Sequence, residues 1–162
     1  MGGQDLTRRS LLGGTVLGGT LLFAVGCADP DGAAEPPDAE LATLRTAIAT
    51  EAALIALYAA ASRDEPSLTR RLRPQLHHHQ SHLARLNSRL AEASPAPSPS
   101  TTPSSPPRLP NGATAVLRTL RQAERAASEE RTRQLARVSP SLAQLLASIA
   151  ACEYAHLGPL SD

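Results

Sequence analysis

Tryptophan is absent and aromatic residues make up only 2% of the chain, so an interior has to be built from Leu, Ile, Val and Ala. That composition disfavours a sandwich and favours helix packed on helix. Lysine is absent too. All 16 basic residues are Arg, 15 acidic residues face them, and no basic block stands out; the electrostatic footprint of a nucleic-acid binder is missing. Cys27 and Cys152 are the two cysteines, too few for a disulfide framework. Nucleophilic triads, phosphate-binding loops and zinc-finger spacings do not occur. What is present is a chain of 162 residues, enough for one domain of ordinary size.

Thr7-Arg8-Arg9-Ser10-Leu11-Leu12 is a twin-arginine pattern. It is followed by an apolar run from Leu11 to Val25, too short and too rich in glycine for a membrane span. The run ends in Ala24-Val25-Gly26-Cys27, which resembles the lipobox of bacterial lipoproteins, with cleavage before Cys27 and lipid on its thiol. Ala24 stands where Leu is usual, which keeps plain secretion and an uncleaved anchor as alternatives. The expectation is a signal peptide over residues 1–26 and export to the outer face of the cytoplasmic membrane, with lipid on Cys27 as the membrane partner. Residues 27–38 have no periodicity and read as a flexible tether. Removing residues 1–26 takes away Arg8, Arg9 and Asp5, leaving Arg and acidic residues in equal number. Lipid, and not attraction to anionic headgroups, would then be the anchor. With Cys27 acylated, Cys152 has no thiol to pair with and reads as a small core residue, a metal ligand beside Glu153 being the alternative.

Four helices are predicted, over residues 39–62, 66–92, 112–137 and 140–157. Asp38 is the expected N-cap of the first, Asp64 or Ser67 of the second and Asn111 of the third. Ser139-Pro140 opens the fourth and Gly158-Pro159 stops it. The second should be disturbed at Pro74, where one backbone hydrogen bond is lost. Each helix carries an apolar stripe at spacings of three and four, and ionisable residues interrupt every stripe. Glu51 falls in the line Leu41, Leu44, Ile48, Ile55, Tyr58 and Ser62. His79 falls in the line of Leu68, Leu72, Leu76, Leu83, Leu86 and Leu90, with His82 three residues on; His77 and His78 should face elsewhere. Glu124 falls in the line of Leu117, Leu120, Ala127, Arg131 and Leu135, while Glu129 and Glu130 belong to a solvated face with Arg125 and Arg133. Glu153 and His156 fall in the line of Leu142, Leu146, Ile149 and Leu160.

A carboxylate on a buried stripe is costly unless it is paired or bound to a metal. Glu153 and His156, three apart, stack on one helix face, and helix bundles use Glu-x-x-His in that way around metals. Residues 94–110, rich in Pro and Ser, are neither helix nor interior strand. At roughly 3.1 Å per residue they reach about 50 Å, more than the roughly 40 Å of the third predicted helix. A segment of that reach can cross the length of a bundle, and two independent hairpins would each bury too little surface.

One carboxylate, a pair three apart, a long connection, one carboxylate and a second pair three apart is the ligand order of ferritin-like bundles. The chain resembles the ferritin-like domains of actinobacterial exported lipoproteins, over about Asp38 to Gly158 and most closely in Thr50-Glu51-Ala52-Ala53-Leu54-Ile55-Ala56-Leu57-Tyr58. The resemblance implies an all-α, ferritin-like four-helix bundle over residues 39–158, with residues 94–110 as its crossover. It makes Glu51 and Glu124 the single carboxylates, Glu153 and His156 the last Glu-x-x-His, and His82 the histidine of the first. His79 departs from the pattern, because di-iron members carry there a Glu that bridges both metals. A neutral imidazole neither bridges nor adds negative charge. Three carboxylates and three imidazoles would hold two divalent ions less tightly, one ion well, or none, and iron, zinc and copper all suit such donors.

Two function classes follow. In one, the domain is a transition-metal-binding or redox lipoprotein whose ligands come from Glu51, His79, His82, Glu124, Glu153 and His156, with donor atoms converging at the bundle centre. In the other, the same residues pair with Arg or Tyr58, and the bundle is a metal-free scaffold or partner-binding module of the envelope. Whether it is an enzyme, and whether it forms a homodimer, stay open at this point.

Overall fold

In a computed structural model, residues 37–93 and 107–161 are described. Arg8, Arg9, Cys27, residues 27–36 of the expected tether and residues 94–106 of the expected crossover lie outside them. The three-and-four spacing produces helices and no strand among the described residues: α1 (Pro37–Asp64), α2 (Thr69–Ala93), α3 (Ala113–Gln134) and α4 (Pro140–His156). Single 3-10 turns, Pro66–Leu68 and Leu135–Arg137, lead into α2 and out of α3.

The helix ends differ in detail from the sequence expectation. α1 begins at Pro37 and takes Asp38 and Glu40 into its first turn, where their charge complements the helix dipole. Neither Asp64 nor Ser67 caps α2; Asp64 is the last residue of α1, and Glu65 precedes the turn that Pro66 opens. α2 continues through Pro74 without a break. Gly112, not Asn111, precedes α3, at φ 90, a conformation that glycine enters without a Cβ penalty. Its N–H is taken by Glu65 Oε1 at 2.9 Å. Ser139 does stand at the start of α4, but its side chain makes no cap. Glu40 of α1 instead accepts both its N–H and its hydroxyl, each at 2.9 Å.

Two apolar clusters fix the direction of each helix. One joins Tyr58 and Ala61 late in α1, Leu68 and Leu72 at the start of α2, Val116, Leu117 and Leu120 early in α3, and Leu160 beyond α4. The other joins Leu44 and Ala47 early in α1, Leu86 and Leu90 late in α2, and Leu142, Leu146 and Ile149 early in α4, with Leu135 and Val138 against it. α1 and α4 therefore run one way, α2 and α3 the other. α1 packs along α2, α3 along α4, and α1 touches α3 as α2 touches α4, so every packed pair is antiparallel and the arrangement fits a four-helix bundle. By length and composition α1 would pass for a membrane span, yet its Leu44, Ala47, Glu51, Leu54 and Tyr58 are buried against the other helices. Between the two clusters lies a layer of a different kind: Glu51, His79, Glu124, Arg131, Glu153 and His156 are all buried.

Candidate metal centre

Each helix delivers its ionisable residues to this layer because they occupy the same stripe positions as the core leucines. His79 is the hub. Its Nδ1–H donates to Glu51 Oε2 at 2.9 Å and its Nε2–H to Glu124 Oε1 at 2.8 Å, and all three side chains are fully buried. Burial alone would favour the neutral ring, but the bonds to Glu124 and Glu51 outweigh it and raise His79 to about 9. It is an imidazolium clamped between two carboxylates, one from α1 and one from α3. Burial also opposes the charge on Glu124, and His156 and His79 overcome it, lowering the carboxyl to about 2. Glu51 goes the same way: His79 and His82 outweigh burial and hold it well below the usual carboxylate range.

Glu124 Oε1 accepts two further hydrogen bonds, from His156 Nδ1 at 3.0 Å and from the Tyr58 hydroxyl. Burial and the adjacent Glu124 push the Tyr58 hydroxyl far above its ordinary value, so it serves as a donor only. His82 stands at the margin, with Nδ1 3.6 Å from Glu51 Oε1. Arg131 crosses from α3: its Nη2 donates to Glu51 Oε1 and to the Ala47 carbonyl, both at 3.2 Å, and lies 3.6 Å from Glu153 Oε1. Glu153 behaves unlike the other two carboxyls. Burial raises it, Arg131 opposes, and repulsion from Glu51 and Glu124 adds to the rise, so it keeps its proton at neutral pH.

All six residues expected from the sequence thus meet around one layer, and no aliphatic side chain separates His79 from Glu51 or Glu124. The layer also contains what the metal-free alternative required, since Arg131 pairs with Glu51 and Tyr58 with Glu124. Several donor atoms have no hydrogen-bond partner among the described residues: both oxygens of Glu153, Glu124 Oε2 and His82 Nδ1, together with Arg131 Nε and Nη1. Buried polar groups are almost always satisfied, and an orphaned one costs about 1–3 kcal/mol.

Two residues go beyond or correct the sequence expectation. His78 lies off the buried stripe and is exposed, as expected, but its Nδ1 comes 3.0 Å from His156 Nε2, and the two rings stack 5.3 Å apart. Cys152 is not a core residue but half-buried, its Sγ 3.5 Å from His156 Nε2 and 3.8 Å from His78 Nδ1. The reason is that α2 borders two neighbours. His79 points between α1 and α3, and the rotation of one residue turns His78 toward α4. Burial, then His156, pulls His78 below its ordinary value and favours the neutral ring. The signal available in the sequence was the four-residue spacing of Cys152 and His156 on one helix. Ligand atoms lie within 4.8 Å of one another in three sets: Glu51, His79 and His82; His79, Glu124 and His156; and His78, Cys152 and His156.

No family model, curated protein or solved structure matches the chain.

Proposed function

We propose that the chain is an exported, lipid-anchored ferritin-like protein whose core layer binds one transition-metal ion. The observation that carries this reading is that neither oxygen of the buried Glu153 has a hydrogen-bond partner among the described residues. A hydrophobic replacement of Glu153 would avoid that cost, whereas a cation removes it. The ferritin-like assignment is supported by helix direction. Ala93 ends α2 at one end of the bundle and Ala113 begins α3 at the other, so the connection through residues 94–112 has the length of the bundle to span, as a crossover does. Export and anchoring rest on Arg8, Arg9 and Cys27.

Two ions do not suit the residues. Arg131 places a permanent positive charge against Glu51 and Glu153, where a second metal would need their charge. Three carboxylates offset by one guanidinium leave two negative charges, enough for one divalent ion. Glu51, His79 and His82 would hold it, with Glu153 alongside. Glu124 would orient the ligands, since a histidine that binds metal through one nitrogen is set by a carboxylate on the other. Two imidazoles and carboxylates suit iron, zinc or copper, and a bound iron or copper ion would supply one-electron chemistry. Elemental analysis of the purified full chain carrying Cys152→Ser tests this. About one ion per chain, lost in Glu51→Gln, is expected; a metal-free chain after supply of iron, zinc and copper would exclude it.

The scaffold reading has its own supporting observation. With His79 and Arg131 positive, Glu51 and Glu124 negative and Glu153 protonated, the layer is charge-balanced without an ion. The same elemental analysis separates the two.

A further inference from the structure

Where α2 meets α4, three ligand-type side chains come together: His78 and Cys152, which the core layer does not use, and His156, which the core layer uses only through its other ring nitrogen. His78 Nδ1, Cys152 Sγ and His156 Nε2 are separated by 3.0, 3.5 and 3.8 Å. Cys152 and His156 lie one helical turn apart on α4, so their relative position is fixed by the backbone. His78 comes from α2 and is exposed, Cys152 is half-buried, and His156 is 4% exposed. The group therefore opens to solvent on one side and abuts the core on the other.

His156 joins the two regions. Its Nδ1 faces Glu124 Oε1 at 3.0 Å, and a carboxylate there can only accept. The neutral ring therefore carries its hydrogen on Nδ1 and presents the lone pair of Nε2 outward, to Cys152 and His78. A carboxylate behind a histidine that fixes the tautomer and ring plane is the arrangement that supports metal-binding imidazoles. In the metal-free state His78 Nδ1–H can donate to that lone pair. His78 gives up the hydrogen by shifting it to its own Nε2, a tautomer change that needs no movement of the ring.

We propose that His78, Cys152 and His156 form an outer site for a thiophilic transition-metal ion, distinct from the ion of the core layer. A thiolate with two imidazoles suits copper and zinc, and it disfavours magnesium, calcium and manganese, which prefer oxygen. Three protein donors leave a coordination position on the side where His78 is exposed to solvent. The ion adds to the site as Cys152 releases its proton to solvent, and no electron changes hands. The site shares no ligand with the core ion, which Glu51, His79 and His82 would hold.

Cobalt(II) titration of the full chain carrying Cys27→Ser is the test, since a cobalt–thiolate charge-transfer absorption reports sulfur ligation alone. The absorption should saturate at about one ion per chain, disappear in Cys152→Ser and be lost or strongly weakened in His78→Ala, a change at an exposed position. Glu124→Gln should weaken binding by about 10- to 100-fold, while Glu51→Gln should leave the absorption in place even as it removes the core ion. In the same Cys27→Ser chain, saturating zinc should slow the reaction of Cys152 with a thiol reagent at least about tenfold. That measurement needs no substitution at the site. Absence of the absorption, its persistence in Cys152→Ser, its indifference to His78→Ala, or a thiol equally reactive with and without zinc would each overturn the proposal.

Discussion

The apolar clusters at the two ends of the bundle and the polar layer between them are built from the same four helices at the same stripe positions, yet they resist perturbation in different ways. At the ends, Leu72, Leu86, Leu120, Leu142 and Leu146 are close to fully buried, and their energy is spread over many small contacts. In the middle, a few strong directional interactions each answer a desolvation cost, and several atoms are left over. An apolar layer therefore degrades gradually as side chains are trimmed. A polar layer fails when one partner goes, because the charge left behind stays buried. Stability alone is better served by leucine, so the polar layer is retained at a cost, and the reading above gives that cost a use.

The largest expected effect breaks the comparison on the polar side. Arg131→Met removes the guanidinium from Glu51 and Glu153 and should destabilise the metal-free chain by about 3–5 kcal/mol, measured by urea denaturation. Adding Glu51→Gln to that variant should recover part of the loss, because the ionised carboxylate that Arg131 paired with is removed along with it. Leu120→Ala or Leu146→Ala, on the apolar side, should cost about 2–5 kcal/mol through the cavity left, and no second substitution of charge should restore it.

A pH series sharpens the contrast. His79 binds its proton more tightly folded than unfolded, from an ordinary 6.5 to about 9. Its contribution is thus fully present below about 6.5 and lost as the pH rises through about 9. Glu153 is shifted upward as well, so its share is present below its ordinary 4.5 and fades as the pH rises. Glu51 and Glu124 are shifted down; their share is present above 4.5 and disappears as the pH falls toward about 2. The metal-free chain should therefore be most stable near pH 5 and lose on the order of 3 kcal/mol from His79 alone by pH 9. In Glu124→Leu with His79→Leu, which makes the layer partly apolar, the alkaline slope should flatten. Because an ion displaces those protons, metal affinity should weaken as the pH falls.

The smallest effect lies outside both kinds of layer. Glu130 and Arg133 form an exposed ion pair at 2.7 Å, and the adjacent guanidinium keeps Glu130 below its ordinary value. Arg133→Ala should change stability by less than about 1 kcal/mol, by the same denaturation measurement.

The helices of the polar layer were legible in the sequence to different degrees, for physical reasons. α2 and α3 each have one apolar line on an otherwise polar surface, and periodicity located His79 and Glu124; α4 is apolar on more than one face, and there the three-residue spacing of Glu153 and His156 was the signal. α1 is apolar nearly all round. Its buried line is Leu44, Ala47, Glu51, Leu54, Tyr58 and Ala61, whereas the spacing of large residues pointed to Leu41, Ile48 and Ile55, which are only partly buried. Glu51 and Tyr58 belong to both lines, so the site survived the error. Arg131 was visible as a stripe residue, but the carboxylates it meets lie on α1 and α4, and no local pattern encodes that. The meeting of His78 with Cys152 and His156 is likewise a contact between α2 and α4 that no local pattern encodes. The caps at Gly112 and Ser139 depend on Glu65 and Glu40, distant in sequence, and tertiary hydrogen bonds replaced the local ones expected.

The central claim is that the polar layer is kept for a cation. The most direct measurement is the thermal midpoint of the full chain carrying Cys152→Ser, with and without iron(II), zinc or copper, beside the same chain with Glu51→Gln added. The account predicts that one of these ions raises the midpoint in a concentration-dependent way, by linkage to the folded state, and that Glu51→Gln removes the rise. A midpoint that none of the three ions moves, in a chain that is folded and metal-free, would contradict it.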